Sequence, residues 1–230
     1  MALTKTTEFG PAVTQVLQWV PNGTRIGLGS GSAASAFIRA LGERVRQGLD
    51  VLGVPTSQAT AKLAAEVGIP LITLEQVQKL DLTVDGADEV DPRLNLIKGL
   101  GGALVREKIV AASSCRLIIL IGKEKLVDKL GEHGVLPVEV VPFGLPLCAR
   151  RLQALGYAPQ PRMDNGRLMV TDNQNHILDC RITPIDDPHL LERIVLAIPG
   201  VVETGLFLGM AGKVVIQDGD KVQIQERTTS

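Results

Sequence analysis

Histidine, cysteine and aromatic residues are scarce in this chain of 230 residues. The three cysteines, Cys115, Cys148 and Cys180, form no CxxC pair, so neither a disulfide framework nor a thiolate zinc site is expected. The three histidines form no HxxxH or HxH pattern that could place two imidazoles on one metal ion. Aromatic residues make up 3% of the chain, too few for the stacking surfaces of a single-stranded nucleic acid binder. Because the histidines form no such pair, a histidine-based metal enzyme is not expected.

An excess of charge and long apolar runs are also missing. The net charge of −1 and a sequence pI near 6.3 provide no global positive field that would attract nucleic acid or an anionic membrane. No apolar run approaches the roughly 20 residues that span a bilayer. The start, MALTKTTEFG, lacks the charged-then-apolar order of a signal peptide. We expect a cytoplasmic protein with neither a membrane nor a nucleic acid partner.

The chain does contain an alternation of β-branched runs and helical patterns, as in βαβ units. The pattern predicts strands at 24–28, 51–54, 71–72, 82–84 and 116–121, and helices at 32–47, 58–67 and 104–112. The last of these strands is a continuous apolar run, which is typical of a strand buried on both faces. The order predicts an α/β class with a mainly parallel, Rossmann-like sheet.

A second pattern begins near residue 131. It predicts strands at 138–141, 167–171, 177–182 and 201–208, and helices at 147–155 and 188–197. The order β-α-β-β-α-β is that of a ferredoxin-like α+β domain. The tail, 214–225, resembles a hairpin that turns at Asp218-Gly219 and returns to the first domain. The prediction is a larger domain of residues 1–130 plus 208–230 and a smaller domain of residues 131–207.

The first segment with chemical potential is GLGSGS at 27–32, between a predicted strand and a helix. Small residues at that place let backbone N–H groups approach an anion, and the helix N-terminus attracts negative charge. Ser30 and Ser32 add hydroxyl groups. The GxGxxG dinucleotide fingerprint fails at Ser32, which disfavours a nicotinamide dehydrogenase. The alternative is a tight turn with Ser32 as the helix N-cap.

The second segment is acidic and follows the predicted strand 82–84. Asp85 would lie at the carboxyl edge of the sheet, where α/β proteins bind ligands, and Gly86 permits a turn that brings Asp88 back. Such carboxylates can accept hydrogen bonds from sugar hydroxyls, or one can take a proton during ring opening. A solvated acidic loop or helix cap is the alternative. A calcium site is disfavoured because the spacing does not match.

The third segment, 98–108, contains three glycines just before a predicted helix. The loop offers unpaired N–H groups, and Glu107 lies about one turn into the helix. A partly desolvated glutamate beside a lysine can act as a base. The alternative is a solvated glutamate between Arg106 and Lys108.

The fourth segment, 122–125, places Lys123 and Lys125 at the end of a buried strand, where they either meet an anionic ligand or form solvated charge pairs.

In this order and spacing, the four segments resemble the A-type ribose-5-phosphate isomerase family. VDGADEVD at 84–91 and IKGLGGALVREKIVA at 97–111 carry the resemblance, and LPVEVVPFG at 136–144 and IPGVVETGLF at 198–207 extend it into the smaller domain. The resemblance implies an aldose-ketose isomerase of the non-oxidative pentose phosphate pathway, with a sugar phosphate substrate. It also implies no metal and no cofactor, and a homodimer or homotetramer with the smaller domain at the interface.

The resemblance further implies roles for individual residues. Glu107 would be the catalytic base of an isomerisation through an enediolate, Lys98 would stabilise the developing negative charge, and Asp85 would lie in the sugar site and assist ring opening. The implied substrate-binding residues are Ser30, Gly31, Ser32, Ala33, Asp85, Gly86, Ala87, Asp88, Lys98, Gly99, Leu100, Gly101 and Lys125.

Two positions depart from the family pattern. Ala33 replaces a threonine and therefore lacks a hydroxyl donor, and Leu100 replaces a frequent glycine and adds bulk. A non-catalytic sugar-phosphate sensor is the competing interpretation. A regulator of that kind would need a helix-turn-helix module, and only about 20 residues precede the first predicted strand.

Overall fold

The computed structural model describes residues 9–227, so most of the MALTKTTEFG start lies outside the described residues. No helix in this range is long and apolar enough to cross a membrane. The helices are α1 (Gly10–Leu17), α2 (Gly31–Arg46), α3 (Gln58–Glu66), α4 (Leu104–Ala112), α5 (Leu145–Ala154) and α6 (Pro188–Leu196).

The strands alternate with these helices along most of the chain. In chain order they are β1 (Thr24–Leu28), β2 (Val51–Pro55), β3 (Leu82–Asp85), β4 (Glu89–Val90), β5 (Leu96–Ile97), β6 (Leu117–Gly122), β7 (Val135–Val140), β8 (Ala158–Pro161), β9 (Met163–Asp164), β10 (Arg167–Leu168), β11 (His176–Arg181), β12 (Val201–Thr204), β13 (Leu206–Phe207), β14 (Ala211–Asp218) and β15 (Lys221–Glu226).

The chain divides into two compact units. Of the described residues, the first contains 9–86, 110–123 and 212–227, and the second contains 87–109 and 124–211. Segments 87–109 and 124–130 therefore group with the second unit, whereas the sequence pattern placed them in the first domain. The physical reason lies in a small antiparallel sheet, in which β5 pairs with β4 on one side and with β13 on the other. The domain boundaries at 131 and 207 stay a prediction.

The first unit is built on a six-stranded sheet with the order β15-β14-β6-β3-β1-β2. Strands β2, β1, β3 and β6 are parallel, and β14 and β15 form an antiparallel hairpin. Every residue of β6 is buried, as its continuous apolar run predicts. Helix α2 buries apolar residues at helical spacing, among them Phe37, Ile38 and Leu41. The prediction of an α/β fold with a mainly parallel sheet is confirmed, and the tail hairpin joins that sheet.

The second unit contains a four-stranded antiparallel sheet with the order β12-β7-β11-β8. With α5 and α6, its strands follow the predicted order β-α-β-β-α-β. The strand predicted at 167–171 is only partly correct, because β10 contains Arg167 and Leu168 alone and lies outside this sheet. The second strand is β8, and Arg167–Leu168 pairs instead with Met163–Asp164. Pro159 and Pro161 hide the strand signal of β8, and they are tolerated because β8 is an edge strand.

Two further strand predictions need correction. The strand predicted at 201–208 breaks at Gly205 into β12 and β13, which belong to different sheets. A Cβ atom at Gly205 would lie 2.3 Å from the Lys98 carbonyl oxygen, so only glycine fits this break. The strand predicted at 71–72 is a single bridge between Leu71 and Gly53. Helix α1 and strands β4, β5, β8 and β9 were not predicted.

Candidate active site

Asp85 organises the first group of predicted site residues, in the first unit. It ends β3, is 1% exposed, and its Oδ1 accepts hydrogen bonds from the N–H groups of Ser30 (3.0 Å) and Gly86 (2.8 Å). Because β1 and β3 are parallel neighbours, their carboxyl ends meet at one edge of the sheet. A Cβ atom at Gly29 would lie 2.2 Å from this carboxylate, which explains the glycine there.

The Ser30 hydroxyl lies in a cluster of hydroxyl groups. Its Oγ is 2.8 Å from Thr56 Oγ1, 3.0 Å from Ser57 Oγ and 3.1 Å from Thr60 Oγ1. Helix α2 begins at Gly31 with Ser30 as its N-cap, so the alternative with Ser32 as N-cap is wrong. The Ser30 side chain makes no capping bond because it is turned toward the other hydroxyls.

The remaining residues of this loop differ in exposure. Gly31 and Ser32 are exposed at the start of α2, and Ala33 is buried at 7% exposure. The hydroxyl cluster was not predicted. Thr56 and Ser57 come just after the predicted second strand, and Thr60 lies in the first turn of the predicted helix at 58–67, so the rule that the carboxyl ends of parallel strands bind ligands could have identified this segment.

In the second unit, Glu107 and Lys98 form a buried ion pair. Lys98 Nζ lies 3.3 Å from Glu107 Oε2, and the side chains are 4% and 5% exposed. Glu107 is in the first turn of α4, and the Lys98 N–H donates to the Gly205 carbonyl at 2.9 Å. The alternative of a solvated glutamate is therefore wrong. A carboxylate shielded from water beside a single ammonium group is well suited to exchange a proton with a bound substrate.

The Phe207 ring supports this pair. Lys98 Nζ lies 5.4 Å and Lys108 Nζ 5.0 Å from the ring centroid, within the range of cation-π attraction. Lys108 is also bound by Glu203 at 2.8 Å and by Glu192 at 3.4 Å. The sequence gives no signal for these contacts, because Phe207 is about a hundred residues away from both lysines.

The glycine-rich loop at 98–102 makes a contact with the acidic segment. Asp88 is half-buried, and its Oδ2 accepts a hydrogen bond from the Leu100 N–H at 3.0 Å. Gly99 and Gly102 have φ angles of +108° and +83°, which explains the glycines at these positions. The Leu100 side chain is exposed, and its residue is 50% accessible. Leu100 therefore adds its bulk on the solvent side of the loop.

The two lysines of the fourth segment differ. Lys123 is exposed and bonded to Asp218 at 2.8 Å, a contact that raises its pKa, so the solvated charge pair is the correct interpretation. Lys125 is half-buried, and its ammonium has no hydrogen bond or ion pair within residues 9–227. Over the same range, no group of three or more histidine, cysteine or acidic side chains could hold a metal ion. The absence of a cofactor stays a prediction.

The parallel sheet and the ferredoxin-like unit define an α/β protein, and the buried carboxylate-ammonium pair gives it groups suited to acid-base chemistry. The family model described as ribose 5-phosphate isomerase A (phosphoriboisomerase A) matches residues 52–221. A ribose-5-phosphate isomerase A of Roseiflexus sp. is 54% identical over 92% of each chain. One from Gloeobacter violaceus is 50% identical over 93% of each chain.

Solved structures agree with these sequence matches. Ribose 5-phosphate isomerase A from Methanocaldococcus jannaschii has a TM-score of 0.89 at 39% identity, covering 94% of this chain and 96% of that one. A D-ribose-5-phosphate isomerase in complex with phospho-erythronic acid has a TM-score of 0.91, with the same identity and coverage. The chain belongs to the ribose 5-phosphate isomerase A family, and it is an enzyme of this type.

Proposed function

We propose that this enzyme interconverts D-ribose 5-phosphate and D-ribulose 5-phosphate, in the non-oxidative pentose phosphate pathway. The observation that carries the proposal is the Glu107 carboxylate, buried in α4 and 3.3 Å from the Lys98 ammonium. Family membership supports it, as does the related isomerase that binds phospho-erythronic acid, a phosphorylated sugar acid. The comparisons do not support a non-catalytic sensor, since the relatives bear the name of the enzyme.

The proposed reaction moves one proton between adjacent carbons. Glu107 takes the proton from C2 of the open-chain aldose, the released electron pair forms the C1=C2 bond, and negative charge moves onto O1. The O2 hydroxyl then gives its proton to O1, and Glu107 returns the first proton to C1, which yields the ketose. One carboxylate on one face of the cis-enediolate is sufficient for both transfers.

The Lys98 ammonium stabilises the enediolate oxygen. Its position is fixed by the ion pair with Glu107 and by the Phe207 ring. Positioned acid-base catalysis contributes on the order of 10² to 10⁴-fold, and preorganised charge supplies much of the remainder in a site without water. Because this lysine is in place before the reaction, little free energy of reorganisation is needed when charge develops.

The other predicted residues bind and prepare the substrate. Asp85 assists ring opening of the furanose, and Asp88 orients hydroxyl groups. Backbone N–H groups at the start of α2 and in the glycine-rich loop suit the anionic parts of the ligand. The proposed binding residues remain Ser30, Gly31, Ser32, Ala33, Gly86, Ala87, Gly99, Leu100, Gly101 and Lys125.

The proposal extends to cell biology and assembly. We place the enzyme in the cytoplasm, as a homodimer or homotetramer that uses the smaller ferredoxin-like unit as its interface. Phe143 in that unit is fully exposed, and aromatic residues are enriched at protein–protein interfaces relative to the rest of the surface. Sedimentation analysis of the wild type and of Phe143→Asp tests this assignment.

The catalytic proposal is tested with purified protein, ribose 5-phosphate and a metal chelator. We expect the wild type to form the ketose, and Glu107→Gln to lose on the order of 10²-fold or more in kcat. Glu124→Gln is the matched control, because Glu124 is exposed. Substrate binding without turnover in the wild type would contradict the proposal, as would a Glu107→Gln variant with unchanged kcat.

A further inference from the structure

Arg162 binds two consecutive carbonyl groups of the glycine-rich loop. Its Nη1 donates to the Gly99 oxygen at 2.8 Å and to the Leu100 oxygen at 3.0 Å. The guanidinium is itself fixed, because Nε donates to Asp179 Oδ2 at 2.8 Å and Nη2 binds Asp179 Oδ1. The Arg162 side chain is 12% exposed. All four residues belong to the second unit.

These contacts fix the direction of two backbone N–H groups. In a trans peptide the N–H points opposite to the carbonyl of the same unit. The Gly99 carbonyl points at Arg162, and the Leu100 N–H of the same peptide donates to Asp88 Oδ2. The Leu100 carbonyl also points at Arg162, so the Gly101 N–H is directed away from the guanidinium. No group in residues 9–227 accepts a hydrogen bond from the Gly101 N–H.

We propose that Arg162 is a positioning residue for the isomerase reaction: through the Gly99 and Leu100 carbonyls it holds the Leu100 N–H on Asp88 and aims the Gly101 N–H at the substrate oxygen that becomes negatively charged in the enediolate. The inference rests on the proposed function and deepens it, since the Gly101 N–H acts together with the nearby Lys98. Asp179 in turn fixes the guanidinium fork. Donors prepared in this way stabilise charge that develops during the reaction.

The arrangement requires an arginine. One planar guanidinium binds a carboxylate with two of its nitrogen atoms, and its third nitrogen, Nη1, remains to donate to the two carbonyls. A lysine ammonium lacks this fork and cannot reproduce the geometry. Without the guanidinium, the Gly99 carbonyl keeps a 3.0 Å hydrogen bond from Gly102 N–H, but the Leu100 carbonyl loses its donor. The peptide group between Leu100 and Gly101 would then no longer be held in one orientation.

The test compares Arg162→Met and Arg162→Lys with Arg181→Met. Arg181 is an exposed arginine in the same unit, two residues from Asp179. We expect Arg162→Met to lower kcat by about 10- to 100-fold, because small displacements of positioning groups have effects of this order.

Inhibition by phospho-erythronic acid should weaken by a similar factor, and Arg162→Lys should be nearly as impaired. The KM for ribose 5-phosphate should change by less than about threefold. Arg181→Met should match the wild type.

Hydrogen exchange provides a readout that does not depend on activity. The amides of residues 98–102 should exchange faster in Arg162→Met than in the wild type, and no faster in Arg181→Met. Should Arg162→Met fail to fold, Asp179→Asn, which loosens the same fork, takes its place. Unchanged exchange, or a folded variant with wild-type kcat and inhibition, overturns the inference. If the wild type shows no isomerase activity, the proposed function fails, and exchange alone decides whether Arg162 holds the loop.

Discussion

Lys98 Nζ lies 3.3 Å from Glu107 Oε2, and both side chains are almost fully shielded from water. Removing two charges from water is costly, and their mutual attraction compensates only when the pair is complete. The pair therefore couples the stability of the second unit to the same groups that are proposed to perform the reaction.

Replacing one member of this pair should destabilise the protein strongly. Lys98→Met leaves the Glu107 carboxylate buried without its ammonium, and the expected loss is about 3–5 kcal/mol in the free energy of unfolding. The double variant Lys98→Met, Glu107→Gln should recover part of this loss, because both charges are gone. Urea unfolding of the two single variants and the double variant measures the coupling.

Lys129→Met is the control, since its ion pair with Asp186 is exposed, and it should leave stability unchanged. Equal stability of single and double variants would contradict the prediction.

Gly29→Ala should damage the loop that contains Ser30. The new Cβ would lie 2.2 Å from Asp85 Oδ1 and 2.6 Å from the Asp85 Cα, so backbone as well as side chain must move. We expect a loss of about 1–3 kcal/mol in stability and a raised KM for ribose 5-phosphate. Gly212→Ala is the matched control in the same unit, because its Cβ would make only an ordinary 3.7 Å contact. Thermal unfolding and steady-state kinetics test both variants, and equal behaviour would refute the steric argument.

Glu139 is a buried carboxylate that stabilises a polar turn. Its Oε1 accepts hydrogen bonds from Thr171 Oγ1 (3.0 Å), Asn173 Nδ2 (3.2 Å) and Asn175 Nδ2 (2.8 Å). Glu139→Ala leaves these donors without an acceptor and should cost about 2–4 kcal/mol. Glu139→Gln keeps one acceptor oxygen and should cost less. Urea unfolding gives the order, and a Gln variant less stable than the Ala variant would be inconsistent with this account.

Cys180 should make the protein less stable at alkaline pH. Burial, together with the Asp179 charge, raises the pKa of the Cys180 thiol from 9.0 to about 12. Below about pH 9 the thiol is protonated in the folded and unfolded states, so it has no effect on pH dependence. Between about pH 9 and 12 only the unfolded thiol ionises, so the free energy of unfolding falls as pH rises, by about 1.4 kcal/mol per unit at most.

Urea unfolding at several alkaline pH values measures this slope. Cys180→Ala should have a smaller slope than the wild type, whereas Cys115→Ala should keep the wild-type slope, because Cys115 is exposed. Identical slopes in all three proteins would show that other groups cause the alkaline loss.

Local patterns were sufficient for the regular elements. Helix α4 has the predicted bounds, Leu104–Ala112, because three glycines oppose helix formation before it and good helix formers follow. Strand β6 lies within one residue of its predicted range, since a continuous apolar run bounded by Arg116 and Gly122 suits a strand buried on both faces. Strands β4, β5 and β13 have two residues each, too few to show any periodicity.

The side chains around the candidate site were less predictable. Asp85, Asp88, Lys98 and Glu107 could be identified as candidates because charged residues follow a predicted strand or flank a glycine-rich turn before a helix, where α/β proteins bind ligands. The contact of Arg162 with Gly99 joins residues 63 positions apart and has no local sequence signature. Contacts of this kind depend on the pairing of β8 with β11, which prolines conceal in the sequence.

Strand β8, with the sequence APQP, has a consequence for solubility. It lies at the outer position of its four-stranded sheet, where an unpaired strand would ordinarily recruit a strand from another molecule. Proline carries no N–H, so Pro159 and Pro161 leave two of the four residues of this strand without a donor for such recruitment. This border of the sheet is therefore protected against the strand-by-strand growth that leads to fibrils.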